Sequence, residues 1–317
     1  MRKNFLGLAF VGLLAVSNTG CIKSMLMNGQ IKSTRIGAGA ADTIADYEVI
    51  RSAAAAGVLQ FEGMHRLAPD NEDGLFMLTR GWAGWGYGFA LDDYHVALLS
   101  GDDVGAEYHK ARAKMAYDRA ISYGLELVGK RDDGFAKAKK NADTLRKFLE
   151  DNFDDQEDAE PLFWLGSAWL ARVDLLKDEP EYVAEAFVGV TILERSNKLW
   201  PEFMNYNAAS TVAAYKIGVG ARDEAKKTLD DIAAKTKRHN LSILNNLARY
   251  YCAVADRDNY EKTLNEVIAA EDTEPNLRLS NAIAKRQAKR GLHKSRMEDC
   301  GFAPPTSVPA TPATPQK

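Results

Sequence analysis

Residues 189–201 read GVTILERSNKLWP, a pattern that predicts the second helix of a helical hairpin. Gly189 and Ser196 are small, Leu193 between them is large, and Pro201 follows Ser196 after four residues. The small residues let a neighbouring helix approach, the large one fills the groove between helices, and the proline ends the helix. Two further stretches keep this spacing and the proline: Gly57, Phe61, Met64, Pro69, in which Met64 is too large for the ideal pattern, and Thr263, Val267, Ala270, Pro275.

The same spacing recurs more loosely at two other places, Ala113, Tyr117, Ala120 and Ala225, Leu229, Ile232. Counted from residue 189, the next copies begin at residues 225 and 263, intervals close to the period of about 34 residues of tetratricopeptide repeats. We therefore predict an all-α protein in which tetratricopeptide-like helical hairpins stack into an α-solenoid. Generic packing of alanine-rich helices is the alternative explanation of the pattern.

Helical periodicity fills most of the chain, and no segment reads clearly as a strand. We expect Asp42 to cap the first helix and Asp70 or Asn71 to cap the second. The predicted helices lie near residues 42–66, 70–89, 103–128, 133–152, 160–176, 180–199, 203–218, 221–236, 240–256, 258–270 and 275–290.

The N-terminus has the pattern of an export signal. Arg2 and Lys3 precede an apolar stretch over residues 5–16, which is too short to span a bilayer as a helix. Small residues then lead to Cys21, an arrangement similar to the lipobox of bacterial lipoproteins, although Asn18 stands where Leu is usual. We predict a signal peptide over residues 1–20, an acylated Cys21 and a flexible tether over 21–41. An ordinary cleaved signal and an uncleaved anchor are the alternatives.

Composition divides the remaining chain into a body and a tail. The helical-repeat domain is predicted over residues 42–298, and the Pro/Thr/Ala-rich residues 299–317 are predicted to be a disordered tail. The net charge of −3 gives no electrostatic footprint for nucleic acid. Three cysteines exclude a disulfide scaffold, and the sequence leaves open whether Cys252 and Cys300 pair in an oxidising compartment.

Aromatic residues are the only candidates for a ligand site. Residues 81–88 read GWAGWGYG, which lacks the preceding strand and the following Lys-Ser/Thr of a phosphate-binding loop. In a helix, the glycines would form a small face, and the tryptophans would either pack in the core or line an apolar cleft. The candidate lining residues are Trp82, Trp85, Tyr87, Trp164 and Trp169.

No motif indicates catalysis, a metal site or a cofactor. The five histidines lack the spacing of a helical zinc site, and the acidic run over residues 151–160 lacks the glycine of a calcium loop. We expect neither a metal nor a cofactor, and the protein is predicted not to be an enzyme. An envelope enzyme whose residues do not cluster in sequence stays as a third possibility.

Several stretches resemble the TatT family, the tetratricopeptide-containing lipoprotein T components associated with TRAP transporters. The most distinctive is PLFWLGSAWL at 161–170, with YGFALDD at 87–93, ARAKMAYDRA at 111–120 and LERS at 193–196. The resemblance covers about residues 45–290. It departs at residues 206–210, YNAAS, where similar proteins more often carry a glycine-rich turn.

The resemblance implies a lipid-anchored, non-enzymatic protein of the periplasm. Its partner would be a TRAP-type periplasmic substrate-binding protein, and the solute would be small and hydrophobic. The resemblance also implies a homo-oligomer, a trimer in the family's best-known arrangement. Because the residue after Cys21 is Ile22 rather than Asp, we expect anchoring in the outer membrane of a Gram-negative bacterium. A scaffold lipoprotein for envelope protein assembly is the alternative function.

Overall fold

A computed structural model describes residues 25–302, and all regular secondary structure in this range is helical. The predicted signal peptide, Cys21 and residues 303–317 of the predicted tail lie outside it. Helix α1 covers residues 25–38. The other helices are α2 Tyr47–Leu67, α3 Glu72–Trp85, α4 Leu91–Ser100, α5 Asp103–Gly129, α6 Phe135–Ala138, α7 Ala142–Asn152, α8 Ala159–Leu175, α9 Pro180–Val183, α10 Ala186–Leu199, α11 Asn207–Gly218, α12 Arg222–Lys235, α13 Leu241–Ala253, α14 Arg257–Ala269, α15 Arg278–Gly291 and α16 Lys294–Asp299.

Helix α1 lies where the sequence predicted a flexible tether. Its Ile31 side chain is only 1% exposed, and its Asn28 accepts a hydrogen bond from Asn71, the N-cap of α3, at 2.9 Å. Arg35 reaches Asp73 at 2.5 Å and Glu160 at 2.8 Å. The segment is helical because contacts with other elements hold it, and such contacts leave no periodic pattern in a short stretch.

The second predicted helix does not end near Phe89. The α-helical geometry of α3 ends at Trp85, but the chain stays helical through a π-helical turn, Gly86–Ala90, and then through α4. The chain turns only at Gly101, whose φ of 73° favours glycine. Asp102 then caps α5, and Asp46 rather than Asp42 caps α2.

The helices pack in an alternating order. A first set of helices consists of α3, α8, α11, α13 and α15, and each of them contacts the next one of the set. Each helix of a second set packs against two successive helices of the first set: α5 against α3 and α8, α10 against α8 and α11, α12 against α11 and α13, and α14 against α13 and α15. The repeat-like stretches with residues 113, 189, 225 and 263 fall on α5, α10, α12 and α14, the helices of this second set.

Helices α8 and α10 make a very close contact through two glycines. A Cβ atom on Gly166 would lie 2.8 Å from Leu193 Cγ and 3.1 Å from the Gly189 carbonyl oxygen. The small position of residues 189–201 therefore permits the approach for which it was predicted. Gly57 does not behave in this way, since a Cβ atom there would meet nothing within 4 Å.

The last helix of the first set returns to the beginning of the array. Helix α15 contacts α2 and the short 3₁₀ turn Gly39–Thr43. Its Arg286 and Arg290 both bind the carboxylate of Asp92 on α4, which is 3% exposed; the Arg286 contact measures 2.9 Å. The Arg286 guanidinium also lies 4.1 Å from the ring centre of Tyr47 on α2. The two Asp92 contacts join residues 194 and 198 positions apart.

The C-terminal end of the described chain is fixed to the body. Cys252 and Cys300 form a disulfide that joins the end of α13 to the residue after α16. Phe302 is buried against Tyr260, with ring centres 5.2 Å apart. The first residues of the predicted disordered tail are thus packed. Closing a loop of this length stabilises the folded state by about 4 kcal/mol in the chain-entropy treatment.

The contact between α8 and α10 predicts the effect of adding one methyl group. We expect Gly166→Ala to lower the free energy of unfolding by about 1–3 kcal/mol, because the backbone of Gly189 blocks the new Cβ atom. Gly63→Ala is the matched control in the exposed middle of α2 and should be neutral or stabilising by up to about 1 kcal/mol. Urea denaturation measures both, and equal effects would contradict the close contact.

The Asp92 contacts predict a pH-dependent stability. Burial alone would raise the pKa of Asp92, but hydrogen bonds and charges from Arg286 and Arg290 lower it. We expect Asp92→Asn to destabilise the protein by about 3 kcal/mol at pH 7, because the two arginines lose their charged partner. Asp230→Asn, in an exposed pair with Lys226, should change the free energy by about 0.5 kcal/mol or less.

The pH dependence follows from the lowered pKa. The contribution of Asp92 is fully present above its unfolded pKa of about 4 and is lost as the pH falls through its lower folded pKa. Denaturation of wild type and Asp92→Asn should therefore differ by a constant amount from pH 5 to 8, with the difference shrinking below about pH 4. A difference that grows on acidification would exclude this role for Asp92.

Candidate functional site

Trp82 and Trp85 lie together on α3, edge to face, with ring centres 5.9 Å apart. Trp82 is half-buried, and its Nε1 donates to Glu62 at 2.9 Å. Arg119 lies over the Trp82 ring at 5.1 Å, and Arg112 lies over the buried Trp85 ring at 4.9 Å. Both rings are thus packed against the protein's own side chains, and part of Trp82 stays accessible.

The other two candidate tryptophans lie on α8. Trp169 is buried in the core, with Arg172 5.1 Å from its ring centre. Trp164 is half-buried, and Arg80 lies 5.5 Å from its ring centre. The indole nitrogens of both tryptophans are buried without a hydrogen-bond partner. Four tryptophans therefore carry cations over their rings, an arrangement that the sequence did not indicate.

Tyr87 is the most accessible of the five candidates. Its side chain is 42% exposed and lies in the π-helical turn Gly86–Ala90. Its hydroxyl donates to Gln287 Oε1 on α15 at 3.4 Å, and the same oxygen accepts from Asn245 on α13 at 3.3 Å. Desolvation by the surrounding protein raises the pKa of the Tyr87 hydroxyl.

Two glycines of the same turn permit close neighbours. A Cβ atom on Gly86 would lie 2.8 Å from the Tyr117 ring, and one on Gly88 would lie 3.1 Å from Ile283. A Cβ atom on Gly84 would meet nothing within 4 Å, so the glycines do not act together as one small face. The π-helical turn directs Tyr87 towards α15, and π turns are frequent at functional sites.

Polar groups surround the position of Tyr87. Asp174 on α8 and Arg249 on α13 form an ion pair at 2.9 Å, and both remain partly exposed. The Tyr117 hydroxyl and Asn245 Oδ1 are buried without a hydrogen-bond partner. Of these polar groups, only Asp174 and Arg249 reach the surface near Tyr87.

An exposed apolar stripe runs along α5, the longest helix in the described range. Val104, Tyr108, Ala111 and Met115 are all exposed and follow a spacing of four, three and four residues. This spacing places them on one side of the helix, while Ala113, Ala116, Tyr117 and Ala120 fill the opposite side. We call the four exposed residues the α5 stripe. The spacing was visible in the sequence, but the dominant buried face conceals it.

A groove of about 410 Å³ continues the α5 stripe towards the C-terminal half of the helix. It is open and mostly apolar, and it is lined by Ala111, Lys114, Met115, Asp118, Arg119 and Ser122. Its charged residues are already paired within the protein, Asp118 with Lys114 and Arg172, and Arg119 with Glu62. The groove can thus accept an apolar group without leaving a charge unpaired.

The titratable clusters do not add a second candidate site. Asp154, Asp155 and Asp158 bring carboxylate oxygens within 4.8 Å of one another, and Asp158 binds Arg131 at 3.3 Å. Exposed acidic groups of this kind are common without an ion. His95 has a pKa lowered to about 4 by burial and by the charges of Arg296 and Arg290, so it is neutral at pH 7.

None of the helices within residues 25–302 is both long enough and apolar enough to cross a membrane. The comparison with curated proteins gives no match. The comparison with protein families matches residues 43–298, nearly the whole described body, to the TRAP transporter T-component family. This match agrees with the resemblance of the quoted stretches, and the chain therefore belongs to the TRAP transporter T-component family.

Proposed function

We propose that this protein is a lipid-anchored T component of the periplasm that docks a TRAP-type substrate-binding protein and helps to carry a small hydrophobic solute. Family membership supports the association with a TRAP transporter. The observation that carries the docking role is the exposed α5 stripe beside an open apolar groove.

The α5 stripe has the properties of a protein interface. Single exposed apolar residues are ordinary on protein surfaces, but Val104, Tyr108 and Met115 share one helix face with Ala111. Tyrosine and methionine are enriched in interface cores, and paired charges beside them form a polar rim. We propose that the binding protein covers this face.

The solute is proposed to contact the aromatic candidates. Tyr87 is accessible, and Trp82 and Trp164 are partly so, whereas Trp85 and Trp169 are buried and would support the site from behind. The groove on α5 is open rather than enclosed, and most of its surface is apolar. An apolar solute fits its mostly apolar surface.

The alternating packing of the helices supports a degenerate tetratricopeptide-like array. Each helix of the second set lies between two successive helices of the first set, which is the relation of neighbouring hairpins in such arrays. We further propose that the protein is anchored by acylation of Cys21 in the outer membrane and forms a homo-oligomer. A scaffold lipoprotein without a solute stays as the alternative function.

Binding of a purified TRAP-type substrate-binding protein from the same organism tests the docking role. We expect Tyr108→Ala with Met115→Ala to weaken binding at least tenfold, because about 1.4 kcal/mol is readily lost when two interface side chains are truncated. Leu59→Ala, at an equally exposed position on α2, is the control and should leave binding unchanged. Calorimetry gives the affinities, and thermal unfolding verifies that all variants fold.

The same purified proteins distinguish the two functions. Mass spectrometry of lipids and small molecules that co-purify with the wild type should identify an apolar solute, whose amount falls in the Tyr87→Ala variant. Binding of the partner without any solute would favour the scaffold function. If the protein binds neither the substrate-binding protein nor an apolar solute, the proposal is wrong.

Membrane anchoring has its own test. We expect Cys21→Ala to move the protein from the membrane fraction to the soluble fraction, because acyl chains contribute about 0.8 kcal/mol for each buried methylene group. Cys252→Ala is the control and should remain in the membrane fraction. A Cys21→Ala protein that stays with membranes would contradict the lipoprotein assignment.

A further inference from the structure

Helix α1 presents an apolar face to solvent. The exposed fractions of Met25, Leu26 and Ile36 are 78%, 70% and 75%. At 100° per residue, all three lie on the side of α1 opposite the buried Ile31. Lys32 is also exposed on this side. The face therefore combines three large apolar side chains with one cation.

The rest of α1 is held firmly by the body. Ile31 packs at the start of α3, where its Cγ2 lies within 3.9 Å of the Cβ position of Gly74. Arg35 binds Asp73 in the first turn of α3 and Glu160 in the first turn of α8, and it lies 4.0 Å from the ring centre of Phe76. The outward face consequently has a fixed orientation relative to α3 and α8.

The length of the chain before α1 identifies what this face meets. Only three residues separate Cys21 from Met25, so the two Cα atoms are at most about 14 Å apart. An acylated Cys21 lies at the membrane surface, and α1 cannot move farther from it than this length allows. The helix therefore begins within about 14 Å of the anchored residue at the membrane surface.

The charge of the segment agrees with such a surface. Residues 21–41 contain Lys23, Lys32 and Arg35, and every acidic residue of the chain lies after residue 41. Arg35 is neutralised by its two carboxylates, whereas Lys32 is exposed beside the apolar face. A lysine near an anionic bilayer contributes about 1 kcal/mol to binding.

We propose that the outward face of α1 lies on an anionic lipid surface, with Met25, Leu26 and Ile36 inserted among the headgroups. This inference rests on the proposed acylation of Cys21 and extends it. The segment is then a rigid support rather than a flexible tether. Because Arg35 and Ile31 fix α1 to α3 and α8, the lipid contact sets the orientation of the whole body on the membrane.

Methionine oxidation tests the contact without changing the protein. The acylated protein is bound to vesicles of phosphatidylethanolamine and phosphatidylglycerol and treated with hydrogen peroxide, and peptide mass spectrometry follows each methionine. We expect the oxidation rate of Met25 to fall at least about fivefold relative to the Cys21→Ala protein without vesicles, because lipid covers its thioether. Met115, exposed on α5, is the internal control and should oxidise equally fast in both samples.

A charged variant sharpens the test. We expect Leu26→Glu with Ile36→Glu to restore rapid oxidation of Met25 while the acyl chains keep the protein on the vesicles. Leu59→Glu on α2 should leave Met25 protected. Because Leu26, Ile36 and Leu59 are all exposed, none of these changes should disturb folding.

The outcomes separate the two proposals. A vesicle-bound protein whose Met25 oxidises rapidly would overturn the α1 contact and leave the acyl anchor intact. A protein that does not bind vesicles would overturn the anchor and the α1 contact together. Slow oxidation of Met25 in the Cys21→Ala protein without vesicles would show that another protein surface covers α1, and this result would also overturn the proposal.

Discussion

The arrangement of the first and the last helices of the array depends on the ion pairs of the buried Asp92 carboxylate. This carboxylate receives Arg286 and Arg290 from α15 and thereby joins α4 to the last part of the helical array. A buried carboxylate with a single partner would be costly, but two guanidinium groups supply both charge and hydrogen bonds. Helix α15 also contacts α2, and its Gln287 accepts a hydrogen bond from Tyr87.

Local packing and closure make different demands on the sequence. The contact between α8 and α10 needs small residues, and Gly166 and Gly189 supply them within a recognisable spacing. Closure needs one acid and two bases almost 200 residues apart, and no periodicity relates them. For this reason the all-α fold, the positions of most helices and the cap Asn71 could be predicted from the sequence, whereas the contact between α4 and α15 could not.

The candidate site shows the same division. The sequence drew attention to residues 81–88 because glycine and aromatic residues alternate there, and Tyr87 does lie at an accessible place. Its partner Gln287, and Asn245, which donates to the same Gln287 oxygen, come from distant helices and had no signal of their own. The α5 stripe was missed because an apolar spacing on a helix normally indicates the core, and only the three-dimensional contacts show that this helix has two apolar faces. Helix α1 was misjudged as a tether because its order comes from Arg35 and Ile31 rather than from its composition.

The disulfide between Cys252 and Cys300 bears on how such a chain reaches its compartment. Reducing compartments such as the cytoplasm keep cysteine thiols free, whereas the bacterial periplasm lets disulfides form. For an exported chain, as proposed, α16 would therefore not yet be crosslinked to α13 during synthesis, and the array would be less stable before export than after it. Under the proposed export, oxidation would add the stability of the crosslink in one covalent step after the chain leaves the cytoplasm.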